Sequence, residues 1–186
     1  MNAIIYTLSV LIWILMEVWV IIREKGKVNE TEDKNTKKFF IFSIIIGIIS
    51  GNYLINFDIL NFSGNSSLHY LIGAIVVWIG FTFRFWAILT LGKFFRTTVM
   101  IQKDHWVVKN GPYRLLRHPA YTGTMIALLG VSIGMGNWLS LIAVMGIPFI
   151  GINKRITVEE KTLSESLGNE YIDYKKKTKK LIPFIY

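Results

Sequence analysis

At 186 residues the chain is long enough for one domain, yet its 52% hydrophobic content and mean hydropathy of +0.44 exclude an ordinary soluble one. Cysteine is absent, which removes disulfides, thiolate nucleophiles and cysteine-based zinc sites together, and no metal is expected. The formal charge of +9 would suit nucleic acid, but the lysines and arginines are segregated between apolar runs, as membrane topology alone produces, so no nucleic-acid partner is expected.

The first apolar run, Ala3–Ile22, is interrupted only by Glu17 and fits a span of roughly 20 residues. It is long for a secretory signal core and lacks a cationic head and a small-residue cleavage site, so it reads as retained. Phe39–Leu60 and Tyr70–Leu91 follow, the latter containing Arg84. Arg84 precedes Leu91 by about 10 Å along a helix, near enough to snorkel, and an intramembrane arginine also has Glu17 or a polar cavity as possible partners.

Between Leu91 and Pro119 the chain turns polar and aromatic, and Phe94–Val108 reads as a short hairpin or a structured loop ahead of Asn110-Gly111-Pro112. The stretch Gly111–Gly123, GPYRLLRHPAYTG, sets basic, imidazole and phenolic side chains against the start of the next apolar run. Pro119 suits a first helical position, which puts His118 near the cap. Taken singly, these residues are a capped helix start with Arg114 and Arg117 at headgroups and Tyr121 in an interfacial aromatic belt. Taken together, they offer a helix N-terminus that attracts a carboxylate or phosphate, with His118 as a further donor and His105 and Gln102 as polar contacts. His69 lies on a predicted outer loop and reads as solvated.

The fourth and fifth runs, Tyr121–Met135 and Trp138–Ile152, are short and joined by Gly136-Asn137, a turn signal for an antiparallel helical hairpin. Such thin spans require helices that outrun the apolar stretch, or a locally thinned bilayer. Beyond them Ile156, Glu160, Leu163 and Leu167 share one helical face, while Arg155 and Glu159 are adjacent at i,i+4; an exposed pair there would contribute only about 0.2–0.5 kcal/mol. Lysine and arginine in Arg23–Lys38, Lys93–Arg117 and Lys154–Lys180 place those segments in the cytoplasm and the N-terminus outside, with five crossings. The hairpin then returns Arg155, Glu159 and Glu160 to the side of His118. Carboxylates beside a guanidinium suit a ligand of mixed sign, a description that permits S-adenosylmethionine without selecting it.

The pieces LGKFF, QKDHWVV, GPYRLLRHPAYTG and RITVEEKTLSESLGNEYIDYKKKTKKLIPFIY, in that order over about Leu91–Tyr186, resemble the isoprenylcysteine carboxyl methyltransferase family of integral-membrane methyltransferases. The resemblance implies an all-α integral membrane protein, here with five transmembrane helices, whose cytoplasmic C-terminal pocket encloses S-adenosyl-L-methionine and opens toward lipid. Residues 1–91 would form an N-terminal three-helix membrane region and 92–186 the methyltransferase region. Gln102, His105, Trp106, Val107, Val108, Tyr113, His118, Pro119, Ala120, Tyr121 and Glu159 would line the cofactor site. Arg155 would face the methyl acceptor, with Arg155, Glu159 and Tyr121 as the catalytic group, and Glu160 matches the second of the family's paired glutamates.

The implied acceptor is a lipophilic or lipid-anchored carboxylate; the first half of the chain carries no motif assignable to prenyl recognition. A lipid amine, as in phospholipid N-methylation, is the alternative acceptor and would need a base. A sterol-reductase-type protein, which resembles this chain around GPYR and RHPAY and uses a nicotinamide phosphate cofactor, is a further alternative. A non-enzymatic lipid-binding or scaffold protein is another.

Overall fold

The computed structural model describes residues 1–23, 31–57, 60–95 and 106–186. Its order is α1 (Asn2–Arg23), α2 (Thr31–Leu54), α3 (Ser66–Leu91), α4 (Pro119–Met135), α5 (Trp138–Leu167) and α6 (Asn169–Lys177), with single 3-10 turns at Gly92–Phe94 and Gly111–Arg114. Only isolated bridges, and no strands, occur among the described residues, so the described part of the expected hairpin, Trp106–Val108, is irregular chain.

Four helices, α1, α2, α3 and α5, are long and apolar enough to cross a membrane; α4, at 17 residues, is shorter. The short fifth run expected at Trp138–Ile152 is corrected to the first half of a 30-residue helix, because nothing between Asn153 and Leu167 breaks it before Gly168, at φ 55°, stops it. The second span is also displaced: its helix runs from Thr31 and ends at Leu54, short of the expected Leu60. Asn65 caps α3 by accepting from the Ser67 amide, and Asn137 caps α5 by accepting from the amides of Leu139 and Ser140. Gly136 makes the α4–α5 turn in the left-handed region at φ 67°.

The helices alternate in direction, so two ends of the bundle are defined. At one end Phe62 donates to the Gly136 carbonyl at 2.7 Å, Asn137 donates to Asn61 at 2.8 Å and Asn2 donates to Ser67 at 2.9 Å. The opposite end therefore gathers the last turns of α1 and α3, the first turns of α2 and α4, and the second half of α5.

Two seams hold the bundle. Along α3 and α4, Gly73, Gly80, Gly123 and Gly130 let backbones touch: a β-carbon on Gly80 would sit 2.7 Å from the Gly123 carbonyl, and one on Gly123 would sit 2.6 Å from the Arg84 β-carbon. Small residues at such spacing favour close helix approach where lipid supplies no hydrophobic drive. Along α2 and α5, Gly47 receives the ring of Pro148 in the same manner, with 2.9 Å between a built β-carbon and its Cδ. A buried apolar centre of Trp13, Val77, Leu128, Val131 and Val144 fills the middle, while Ile4, Leu15, Phe42, Ile49, Ile79, Leu89 and Ile150 face outward. Exposed aliphatic bands of this kind are what a bilayer covers.

Candidate active site

Arg84 joins three helices at the inner boundary of the site. Its Nε lies 2.6 Å from Glu17 Oε1, its Nη2 donates to Glu17 Oε2 at 2.7 Å, and its Nη1 donates to the Ala120 carbonyl at 3.0 Å. The snorkelling alternative is thereby set aside: the arginine is buried and ion-paired, and the close guanidinium–carboxylate contact with its one hydrogen bond to Glu17 offsets part of the cost of removing both charges from water. Removing either partner would leave the other charged in an apolar layer.

A cavity opens above this pair. Trp106, Val107, Val108, Tyr113, His118, Ala120, Tyr121, Arg155 and Glu159 line it, together with Glu17, Lys37, Phe40, Ile41, Arg84, Phe94, Arg117, Leu163, Leu167, Tyr171 and Tyr174. The structure thus brings together most of the residues expected at the site. Pro119 is buried at the first position of α4 and does not line the cavity, and Gln102 and His105 lie outside the described residues. Sequence reasoning missed the wall given by Tyr171 and Tyr174; their i,i+3 spacing in the lysine-rich stretch was the available signal.

Arg155 is 2% exposed, so the surface ion pair is excluded. Its Nη1 donates to Thr36 Oγ1 of α2 at 2.9 Å, and the Tyr121 hydroxyl donates to Glu159 Oε2 at 3.1 Å. Tyr121 is packed edge-on against Phe40, with centroids 5.6 Å apart, and tilted against His118 at 5.9 Å. A guanidinium, a phenol and a carboxylate from α4 and α5 consequently face one space with restricted rotamers.

Glu160 has a separate task. Its Oε1 accepts from Arg117 Nε at 2.7 Å and lies 3.2 Å from His118 Nε2, and its Oε2 lies 3.0 Å from Lys175 Nζ. Arg117 Nη1 also donates to the carbonyls of Lys175 and Thr178. One acidic side chain therefore ties α5, the start of α4 and α6 together, and His118 meets a protein carboxylate as well as the cavity. Burial, with the neighbouring Glu159 carboxylate, pushes the Tyr113 phenol well above its ordinary value, so it stays neutral beside the cavity.

A ring of aromatic faces around guanidinium and carboxylate groups, at the end of a helical bundle with a lipid-facing belt, defines a multi-pass membrane protein with a ligand cavity of mixed charge. Residues 72–165, half of the chain, match the model of the Isoprenylcysteine carboxyl methyltransferase (ICMT) family. A probable protein-S-isoprenylcysteine O-methyltransferase of Oryza sativa subsp. indica is 34% identical over 116 residues, covering 61% of this chain and 61% of the rice protein. The protein-S-isoprenylcysteine O-methyltransferase of Saccharomyces cerevisiae is 34% identical over 146 residues, covering 77% of this chain and 61% of the yeast protein. A solved structure of a eukaryotic intramembrane Ras methyltransferase, isoprenylcysteine carboxyl methyltransferase, aligns with a TM-score of 0.61 at 26% identity, over 85% of this chain and 55% of that one. The chain belongs to the isoprenylcysteine carboxyl methyltransferase family. It spans about two-fifths to three-fifths of the length of the curated relatives it matches.

Proposed function

We propose that this chain transfers a methyl group from S-adenosyl-L-methionine to the carboxylate of a lipophilic or lipid-anchored acceptor, an isoprenylcysteine being the first choice. The observation that carries this reading is Arg155 held beside Tyr121 and Glu159 in the cavity that His118 also lines, within a chain of this family. The residues present fit the cofactor: Glu159 offers negative charge for a cation, His118 offers a donor to a carboxylate, and Trp106, Tyr113 and Tyr121 offer faces to a ring. When bound, the cofactor supplies an electrophilic methyl carbon on a sulfonium.

The acceptor carboxylate is ionised at neutral pH and is itself the nucleophile, so no base is needed. Arg155 holds that carboxylate, and Thr36 accepts from its Nη1 at 2.9 Å, which restrains the guanidinium. Arg155 would hold the acceptor in line with the methyl carbon that the bound cofactor would supply, and its grip would loosen as the carboxylate became a neutral ester. Catalysis is then mostly alignment and exclusion of water. Tyr121 keeps Glu159 oriented toward the positive charge that is being consumed.

On this reading α4 is the fifth crossing, the cavity lies on the cytoplasmic face and the N-terminus lies outside. Residues 1–91 act as the membrane frame and 92–186 as the methyl-transfer region. The test is methyl transfer from radiolabelled cofactor to an S-farnesyl cysteine derivative by the reconstituted chain. A base-labile methyl ester is expected, absent with Arg155→Ala; a base-stable product or no cofactor binding would overturn the proposal.

A further inference from the structure

We infer that the last turn of α6 and the segment after it, residues 176–186, form an anchor for anionic lipid headgroups that braces one wall of the cavity from the membrane surface. The inference rests on the chain lying in a bilayer and not on the chemistry proposed for the cavity.

The segment ends in a closed turn. The amides of Leu181 and Ile182 donate to the Tyr186 main-chain oxygen at 2.7 and 2.6 Å, and Ile185 donates to the Ile182 carbonyl at 3.2 Å. Phe184 holds φ at 65°, a left-handed conformation that bulky side chains avoid, and it is the one non-glycine residue to do so among those described. The turn leaves Phe184 81% and Ile185 76% exposed at its tip.

The depth of that tip is set by α5. The Tyr186 hydroxyl donates to Asn153 Oδ1 at 2.9 Å, and its ring lies 6.4 Å from that of Phe149. Asn153 is within one helical turn of the outward-facing Ile150, so the tip sits where the lipid-facing surface ends. Behind it Lys176, Lys177 and Lys179 are exposed, Lys176 in an ion pair with Asp173 at 2.9 Å, while Lys175 is held by Glu160 and Lys180 donates to the Tyr186 hydroxyl at 3.1 Å; the exposed lysines leave an excess of positive charge. An apolar tip backed by ammonium groups matches the acyl boundary and the phosphates above it, and the excess of one sign selects anionic lipid.

The same segment is stitched to the site. Arg117 donates its amide to the Lys179 carbonyl at 2.8 Å, His118 to the Lys180 carbonyl at 3.2 Å, and Thr122 Oγ1 donates to the Leu181 carbonyl at 2.7 Å. Holding lysines 179 and 180 at headgroups therefore holds the start of α4.

Because the chain has no cysteine, Ile185→Cys gives one attachment point for a nitroxide on an exposed residue. The full chain is reconstituted in phosphatidylcholine bilayers with and without phosphatidylglycerol, and collisions with oxygen and with a water-soluble nickel chelate are compared. Expected is a label reached by oxygen and shielded from the chelate in the anionic bilayer, about 5–10 Å below the headgroups. That protection should be lost in phosphatidylcholine alone and in the Lys176→Gln/Lys177→Gln/Lys179→Gln variant. A second label at Leu115→Cys, whose carbonyl accepts from Lys179 at 3.0 Å, should lose mobility when phosphatidylglycerol is added. Three results overturn the inference: chelate access in both bilayers, equal shielding in both, or shielding from both reagents, the mark of a protein partner or second copy. An unchanged Leu115→Cys spectrum overturns the brace.

Discussion

Arg155 is the residue whose removal separates positioning from affinity. It is buried against Thr36, on the α2 side of the cavity, so Arg155→Ala would remove the proposed acceptor anchor and leave the aromatic wall standing. Turnover should fall by about two to three orders of magnitude, the usual effect of deleting a group that orients reacting charge, while calorimetry finds the cofactor dissociation constant within about threefold of the parent. Equal loss in both would place Arg155 on the cofactor instead. His118 and Glu160 should behave as one unit, since the imidazole touches the carboxylate that also holds Arg117 and Lys175. Glu160→Gln leaves those cations without their buried counter-charge and should cost about 3 kcal/mol of stability in thermal unfolding. His118→Ala should weaken the cofactor, and the double variant should lose less than the two singles together, because residues sharing one network are not additive.

The helices were legible where composition speaks and hidden where distant contacts decide. Apolar runs located α1, α3, α4 and the first half of α5, and the Gly136-Asn137 signal located the hairpin turn. The spacing of Arg155, Glu159 and Glu160 was read as helical, but its continuity with the fifth span was not, because charge after Ile152 looks like an exit from the membrane. The pairing of Arg84 with Glu17 was one of three options, beside snorkelling and a polar cavity, until α1 was seen beside α3. The glycine seam was missed: each glycine of α3 and α4 is an ordinary membrane residue alone, and only the facing registers make them a contact. That seam predicts its own mutant. In Gly80→Val the new β-carbon meets the Ala127 and Gly123 backbone, which cannot yield as a side-chain tip can. The substitution should cost about 1–3 kcal/mol in thermal unfolding and move Arg84 off the Ala120 carbonyl, lowering cofactor affinity at a site it never touches. Gly92→Ala is the control for added bulk: among the described residues no atom lies within 4 Å of its β-position, so an effect there reports the φ of 54° rather than packing against the described helices.

The whole molecule stakes its function on which end of the bundle meets the cytoplasm. Alternating helix directions put Ser63, ahead of α3, at one end and Lys161, on α5, at the other, and both are exposed. Lysine and arginine crowd the Lys161 end, which holds the cavity, the Glu160 hub and α6. On the proposed orientation that bias would put this end on the cytoplasmic side, where prenylated carboxylates and the nucleotide-bearing methyl donor would both be met. With no native cysteine to interfere, Ser63→Cys and Lys161→Cys each give one reactive thiol. A membrane-impermeant maleimide applied to intact cells should modify Ser63→Cys at once, and Lys161→Cys only after the membrane is permeabilised. The reverse pattern would put the Arg155 cavity outside the cell, away from its proposed donor, and the methyltransferase reading would fail at the level of topology even if every distance in the site were right. Modification of both thiols in intact cells would mean that α4, at 17 residues, does not complete the fifth crossing. A helix that short spans about 25 Å against a hydrocarbon layer of about 30 Å, and only modest local thinning is needed to seat it. The first pattern is therefore the expected one.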